Sequence, residues 1–535
     1  MTQLPRRMLL ARRLVLPLVL VVAGGLLTTT ATQSVVRSPD STAPAGRPNV
    51  VVIMADDMRK DDLRWMPQTR RLIAGQGARF SNSFAPYPLC CPARASFLTG
   101  QYTHNHHVWS HREPYGFPSL DDSSTLPVWL QSAGYNTLFL GKYLNGYGKQ
   151  PLRDGTSSVT YVPPGWTDWR GSIDGGVPVG DPMDGGTYRY FDMTLNVNGT
   201  LEPHQGEYST RMLGDQSVDL IQSYAGSSDP FFLWASYLAP HHGGPREADD
   251  PREVLRNDGK TTQIVTPAVP DSARGRFDAE LARPLGFPTE RDVSDKPTFI
   301  RTLPQINKAE RQAMLEAARQ RAESLSVLDA EVASTIAALR DTGELGNTIV
   351  MLTSDNGYFQ GEHRMRQGKT LPYEASLRTP LVMRGPGIPA GVTRPAPFLS
   401  IDFAPTILQA AGASLPGSID GQGRLGVARN GGGGWGRPVL TESGPRETVA
   451  MASETGTKLR VPAPKAAAGR AYSTGVRTEN FLYVEHQSGE VELYDMRVDP
   501  GQLSNVAGTG SYAGEQRRLA RTLRDLRHCA GAECR

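Results

Sequence analysis

The chain has 535 residues, more than one small hydrophobic core accommodates, so one large domain and a smaller one are expected. Its 39% hydrophobic and 21% charged content is that of a soluble globular protein. The formal charge is +3, but residues 1–33 hold four arginines and no acid; without them the balance is about −1, which excludes a basic field for nucleic acid.

Arg6, Arg7, Arg12 and Arg13 precede an apolar run, Leu14 to Leu27, and a small polar stretch, Thr28 to Ser34. This is the layout of an export signal over 1–33. The run falls short of the roughly 20 residues that span a bilayer, with an uncleaved anchor as the alternative. The two arginine pairs leave a twin-arginine route open. A secreted or extracytoplasmic protein, with no stable membrane insertion once the signal is removed, is the expectation. Residues 34–47 are rich in Ser, Pro and Ala and read as a linker.

A folded domain is predicted from residue 48 to 435. Apolar runs of strand length start at Asn49–Met54 and recur at Thr137–Leu140, Phe231–Tyr237, Thr348–Thr353 and Pro380–Met383. Runs apolar on both faces predict a central, mostly parallel sheet covered by helices. The clearest helical pattern is Lys308–Leu339, with Leu325, Leu328, Val332, Ile336 and Leu339 on one face. The polar stretch 243–305 reads as an insertion over a site or a mobile loop. With 104–125 and 150–205, it is a candidate specificity loop. Glycines 431–434 mark a break, after which 470–495 alternate like antiparallel strands and Glu515–Leu526 forms an amphipathic helix. The fold class is α/β with a smaller C-terminal α+β domain over 436–535.

There are four cysteines. Cys529 and Cys534 predict a local disulfide. Cys90 and Cys91 are adjacent, where a disulfide would be strained, so both should be free.

In an open parallel sheet, ligands bind beyond the carboxyl ends of the strands. The strands end in Asp56-Asp57, in Gly141-Lys142, in Ala239-Pro240-His241-His242 and in Ser354-Asp355-Asn356-Gly357. Adjacent carboxylates repel unless a cation or strong donor lies between them. Asp56, Asp57, Asp355 and the Asn356 amide oxygen form an all-oxygen set suited to Ca²⁺ or Mg²⁺. No Cys/His cluster with zinc spacing competes with them. In Pro88–Gly100, a short helix is predicted from Pro92 to Leu98, stopped by Gly100. Cys90 would lie at its N-terminus, which favours an anion, with Arg94 as a fixed charge in the first turn.

Cys90-x-Pro92-x-Arg94 followed by Leu98-Thr99-Gly100 resembles the sulfatase signature. Asp56-Asp57, Gly141-Lys142, Ala-Pro-His241, Ser-Asp355-Asn356-Gly and Gly-Lys369 follow the family pattern in order, from about Asn49 to Gly387. Asn105-His106-His107-Val108 and Gly141–Asn145 are similar to the branch containing N-acetylglucosamine-6-sulfatases. The resemblance implies an alkaline-phosphatase-like fold and hydrolysis of sulfated saccharides or aryl sulfates. It implies that a formylglycine-generating enzyme oxidises Cys90 during maturation and that the hydrated aldehyde attacks sulfur. Asp56, Asp57, Asp355, Asn356 and the modified Cys90 would hold the cation, and Arg94 would steady the nucleophile. Lys142 and Lys369 would contact sulfate oxygens, and His241 would protonate the leaving alcohol.

Two departures stand out. Leu144 occupies the place of a histidine in the family's Lys-x-His, with His363, His106 and His107 as unranked substitutes and His242 either a functional or a plain loop residue. Ala93 stands where serine is usual. The competing readings are a phosphonate or phosphate monoester hydrolase of the same superfamily, and a non-catalytic carbohydrate-binding relative that keeps Cys90 as a thiol.

Overall fold

The computed structural model describes residues 46–284, 286, 290–443 and 473–535, so the leader and most of the expected linker lie outside the described residues. Its centre is a ten-stranded sheet. In spatial order the strands are Val392–Arg394, Ala78–Phe80, Leu381–Arg384, Thr348–Ser354, Asn49–Ala55, Phe231–Ser236, Asn136–Lys142, Asp168–Ser172, Asp192–Val197 and Thr200–Gln205. Only Leu381–Arg384 and Asp192–Val197 run against the rest.

The inner strands are apolar throughout because both faces are buried. Along Asn49–Ala55, Val50, Val52 and Met54 point into one core with Phe139, Trp234 and Met351. Val51, Ile53 and Ala55 point into the other with Leu138, Leu233 and Leu352. The first face is covered by Cys90–Thr99, Leu126–Ser132 and Phe403–Ala411. The second is covered by Ser209–Tyr224 and Lys308–Asp341. The latter helix runs two residues beyond the predicted Leu339, and at its start Asn307 Oδ1 accepts from the Glu310 N–H (3.0 Å).

The smaller sheet is antiparallel, ordered Val439–Ser443, Ser473–Arg477, Phe481–His486 and Val491–Asp495. The helix Ala513–Leu526 packs on it through Leu519 and Leu523. The predicted Cys529–Cys534 disulfide is present, and Cys90 and Cys91 are free and buried. Among the described residues, no helix is long and apolar enough to cross a membrane.

Strand register carries the site. Ala55 pairs with Ser354, which puts Asp56 beside Asp355. Met54 and Gly141 both pair with Ser236, which brings Lys142 and the 237–242 loop to the same end. Gly141 has φ 92°, and a Cβ there would lie 2.1 Å from the Ser236 carbonyl oxygen. Glycine is what lets these two strands close and aim Lys142 across the rim.

Candidate active site

The helix of the Pro88–Gly100 segment begins at Cys90, two residues earlier than predicted, and ends at Gly100 in the left-handed conformation (φ 68°). Every residue from Cys90 to Thr99 is buried. Cys90 Sγ lies 3.2 Å from Asp56 Oδ1 and 3.9 Å from Asp57 Oδ1. Lys369 Nζ is 3.0 Å from the sulfur and 2.5 Å from Asp57 Oδ1. Lys142 Nζ bonds Asp56 Oδ2. His241 Nε2 stands 3.6 Å from Asp57 Oδ2. The structure thus gathers Asp56, Asp57, Cys90, Lys142, His241, Asp355, Asn356 and Lys369 at one point of the rim.

Arg94 reaches that point from inside the helix. Its Nε donates to Asp355 Oδ2 (2.9 Å), while one terminal nitrogen donates to Ser236 Oγ (2.6 Å) and the Lys142 carbonyl (2.8 Å). The other terminal nitrogen lies 3.9 Å from Asp56 Oδ2 and makes no hydrogen bond among the described residues. Arg94 therefore first fixes Asp355, and one arm is left facing Asp56. Asp57 adopts φ 63°, a conformation unusual for a side-chain-bearing residue. Its N–H donates to Asp355 Oδ1 (3.1 Å), and its carbonyl accepts from Arg321 (2.6 Å). Arg321 also holds the Pro240 carbonyl (3.1 Å) and lies over the Tyr358 ring, so one side chain of the long helix ties two rim loops together.

Charge is balanced by geometry. Burial raises Asp56, but Lys142, His241, Arg94 and Lys369 outweigh it and hold this carboxyl well below its ordinary range. Burial and the neighbouring Asp56 push Asp355 up to about 6. Burial, then Asp56, pushes the Cys90 thiol well above its ordinary value. The sulfur therefore stays protonated and is a poor nucleophile in the thiol form. Burial and His242 hold His241 well below the ordinary histidine value. His241 Nδ1 meets the His242 carbonyl (2.7 Å), so Nδ1 carries the proton and Nε2 faces Asp57 and the cavity.

Two buried oxygens, Asp57 Oδ2 and Asn356 Oδ1, accept no hydrogen bond among the described residues. Asn356 spends its amide N–H groups on Asp57 Oδ1 (2.6 Å) and the Gly357 carbonyl (2.8 Å), which leaves its oxygen free. Buried oxygens without donors, next to paired carboxylates, fit a hard cation held by Asp56, Asp57, Asp355 and Asn356.

A cavity of about 580 Å³ opens over the cluster, lined by Asp57, His241 and Lys369 among others. Leu144 does not face it; it is buried in the core with Tyr143 and Tyr147. Asn145, the next residue, lines the cavity and bonds the Tyr188 hydroxyl. None of the three substitute histidines lies there. His363 bonds Glu290 (2.9 Å), and His106 bonds Ser96 (3.0 Å) and accepts from the Val108 N–H (3.1 Å). His107 is exposed. His242 does line the cavity, and so does His111, whose Nε2 is buried without a hydrogen-bond partner among the described residues. Sequence reasoning missed His111 and Tyr188 because their loops carry no periodicity. Of the three expected specificity loops, 104–125 and 150–205 reach the cavity, whereas its lining includes no described residue from 243–305.

The sulfatase family model matches residues 48–413. An arylsulfatase of Volvox carteri is 32% identical over 531 residues, covering 91% of this chain and 76% of that protein. Human N-acetylglucosamine-6-sulfatase is 30% identical over 520 residues, covering 91% of this chain and 86% of its own. Among solved structures, a phosphonate monoester hydrolase from Silicibacter pomeroyi superposes with a TM-score of 0.65 at 22% identity, over 90% of this chain and 95% of that one. That likeness is one of fold.

Proposed function

Because the chain belongs to the sulfatase family, we propose that it hydrolyses sulfate monoesters of carbohydrates, with N-acetylglucosamine 6-sulfates favoured and aryl sulfates as assay substrates. The supporting observation is the buried cluster that Cys90 forms with Asp56, Asp57 and His241, within 4.8 Å of one another. In this reading Asp56, Asp57, Asp355 and Asn356 hold Ca²⁺, with Mg²⁺ as the substitute, and Cys90 is converted to formylglycine. When present, the ion supplies a Lewis acid and the oxidised side chain a hydroxyl nucleophile.

The chain's own groups do the rest. Lys142 and Lys369 carry positive charge where a sulfate seated on position 90 gathers negative charge. His241 Nε2 faces the cavity; with Nδ1 holding the ring's one proton, Nε2 first takes up a second and in this reading passes it to the leaving alcohol. Arg94 and Arg321 hold Asp355 and Asp57 in place. Residues 48–435 form the catalytic domain and 436–535 a small C-terminal domain. The leader and the Cys529–Cys534 disulfide support export from the cytoplasm.

Parallel turnover of an aryl sulfate and an aryl phosphonate, with mass spectrometry of the Cys90 peptide, tests this reading. Faster sulfate turnover, an aldehyde at position 90 and inactivation by EGTA are expected. Preferential phosphonate cleavage would favour the same-fold rival, and a thiol throughout would favour a carbohydrate-binding protein.

A further inference from the structure

A second groove, of about 410 Å³, opens on the same end of the sheet and is lined by Lys60, Arg64, Arg70 and Arg79, with Asp61 the only acid among its described lining residues. Lys60 and Arg64 come from the 3-10 turn Lys60–Trp65, Arg70 from the helix Pro67–Leu72, and Arg79 from the strand Ala78–Phe80. Phe80 and Leu381 lie beneath it, both buried. Leu381 pairs with Thr353, near the carboxyl end of the strand that delivers Asp355. Lys60 is three residues after Asp57, so their backbones lie at most about 11 Å apart. Between them Arg59 pairs with Glu362 (2.7 Å) and bonds the carbonyl of Tyr358, a residue of the catalytic cavity.

Four cations against one acid is a local excess in a chain of nearly balanced charge. Among the described residues, none of the four has a carboxylate within ion-pair distance; Arg64 Nε donates to the Asp61 main-chain oxygen (3.1 Å). Burial, then Arg378, lowers the Lys60 ammonium, with Arg79 acting the same way against Asp61 and Glu374. Like charges gathered without a partner repel, and an anion laid along them relieves that repulsion.

We propose that this groove is an accessory site for a sulfated polysaccharide, holding anionic groups on sugars beyond the one whose ester is cleaved. The choice of a sulfated sugar rests on the proposed function above; the charge and placement of the groove do not.

Calorimetric titration of a heparin decasaccharide into the full-length chain carrying Cys90→Ala, which stops turnover, tests this. At about 0.15 M salt, the added pair Arg70→Glu and Arg79→Glu should weaken binding at least about tenfold, while Lys308→Glu, on an exposed helix start, should leave it intact. Circular dichroism checks folding, and Arg64→Glu serves as a second variant. Equal binding by the pair and its parent, or an equal loss with Lys308→Glu, would overturn the site. Equally tight binding of a DNA duplex would overturn its assignment to sulfated sugar. If the unsubstituted enzyme cleaves no sulfate ester, the proposed function fails, while the titration still reports on the groove.

Discussion

Arg94 shows how much of this site is support for other groups. It is fully buried and spends its guanidinium on Asp355, Ser236 and the Lys142 carbonyl, so removing it strands a carboxylate in the interior. Arg94→Ala should cost about 3–5 kcal/mol, read as a lower midpoint in urea unfolding. Arg94→Lys should recover little, since one ammonium cannot span three partners in a plane. His241 is instead the residue proposed to act on the substrate. His241→Ala should lower kcat about 10²–10⁴-fold, with a larger loss for sugar sulfates than for nitrophenyl sulfate, whose leaving group needs no proton. Equal losses on both substrates would remove His241 from the acid role. Most of this rim was readable in the sequence, because Asp56, Lys142, His241 and Asp355 each directly follow an apolar run. His111 and Tyr188 were not, because only tertiary folding brings their loops over the cavity.

At the scale of elements, strand closure aims the side chains. Gly141→Ala would force a methyl group onto the Ser236 carbonyl and a left-handed backbone onto alanine. It should destabilise by at least about 1–3 kcal/mol, with a fall in melting temperature as the readout. The strand runs were legible because parallel strands buried on two faces are continuously apolar. The order of strands across the sheet was not, since pairings such as Ala55 with Ser354 join residues far apart in the chain. The helix carrying Cys90 starts earlier than its Pro92 suggested; proline is tolerated anywhere in the first turn, so it marks the start only to within a few residues.

Across the whole molecule, Asn105 of the motif that suggested a substrate branch, and His104 just before it, have a structural task. His104 Nδ1 meets Glu442 (2.8 Å) and its Nε2 meets the Cys529 carbonyl (2.9 Å). Asn105 bonds Asp420 (2.8 Å), which also accepts from the Gly531 N–H (2.6 Å). The disulfide loop is thus latched onto the segment after the Cys90 helix. Burial lowers His104, but Glu442 outweighs it and raises the imidazole to about 9. A raised folded-state value stabilises fully below the unfolded value of about 6.5 and is lost as pH climbs through about 9. The latch should therefore contribute about 1–3 kcal/mol at pH 6 and little at pH 10, and His104→Gln should flatten that dependence of melting temperature. No spacing rule in the sequence linked residue 104 to residue 529. A last consequence follows from Cys90 having no solvent-exposed surface. On the proposed conversion of Cys90 to formylglycine, a maturation catalyst could not grip a side chain sealed inside the finished protein, so its encounter with position 90 would come while the segment is still extended. Copies that close first would be locked out of the active pool, however well folded they are.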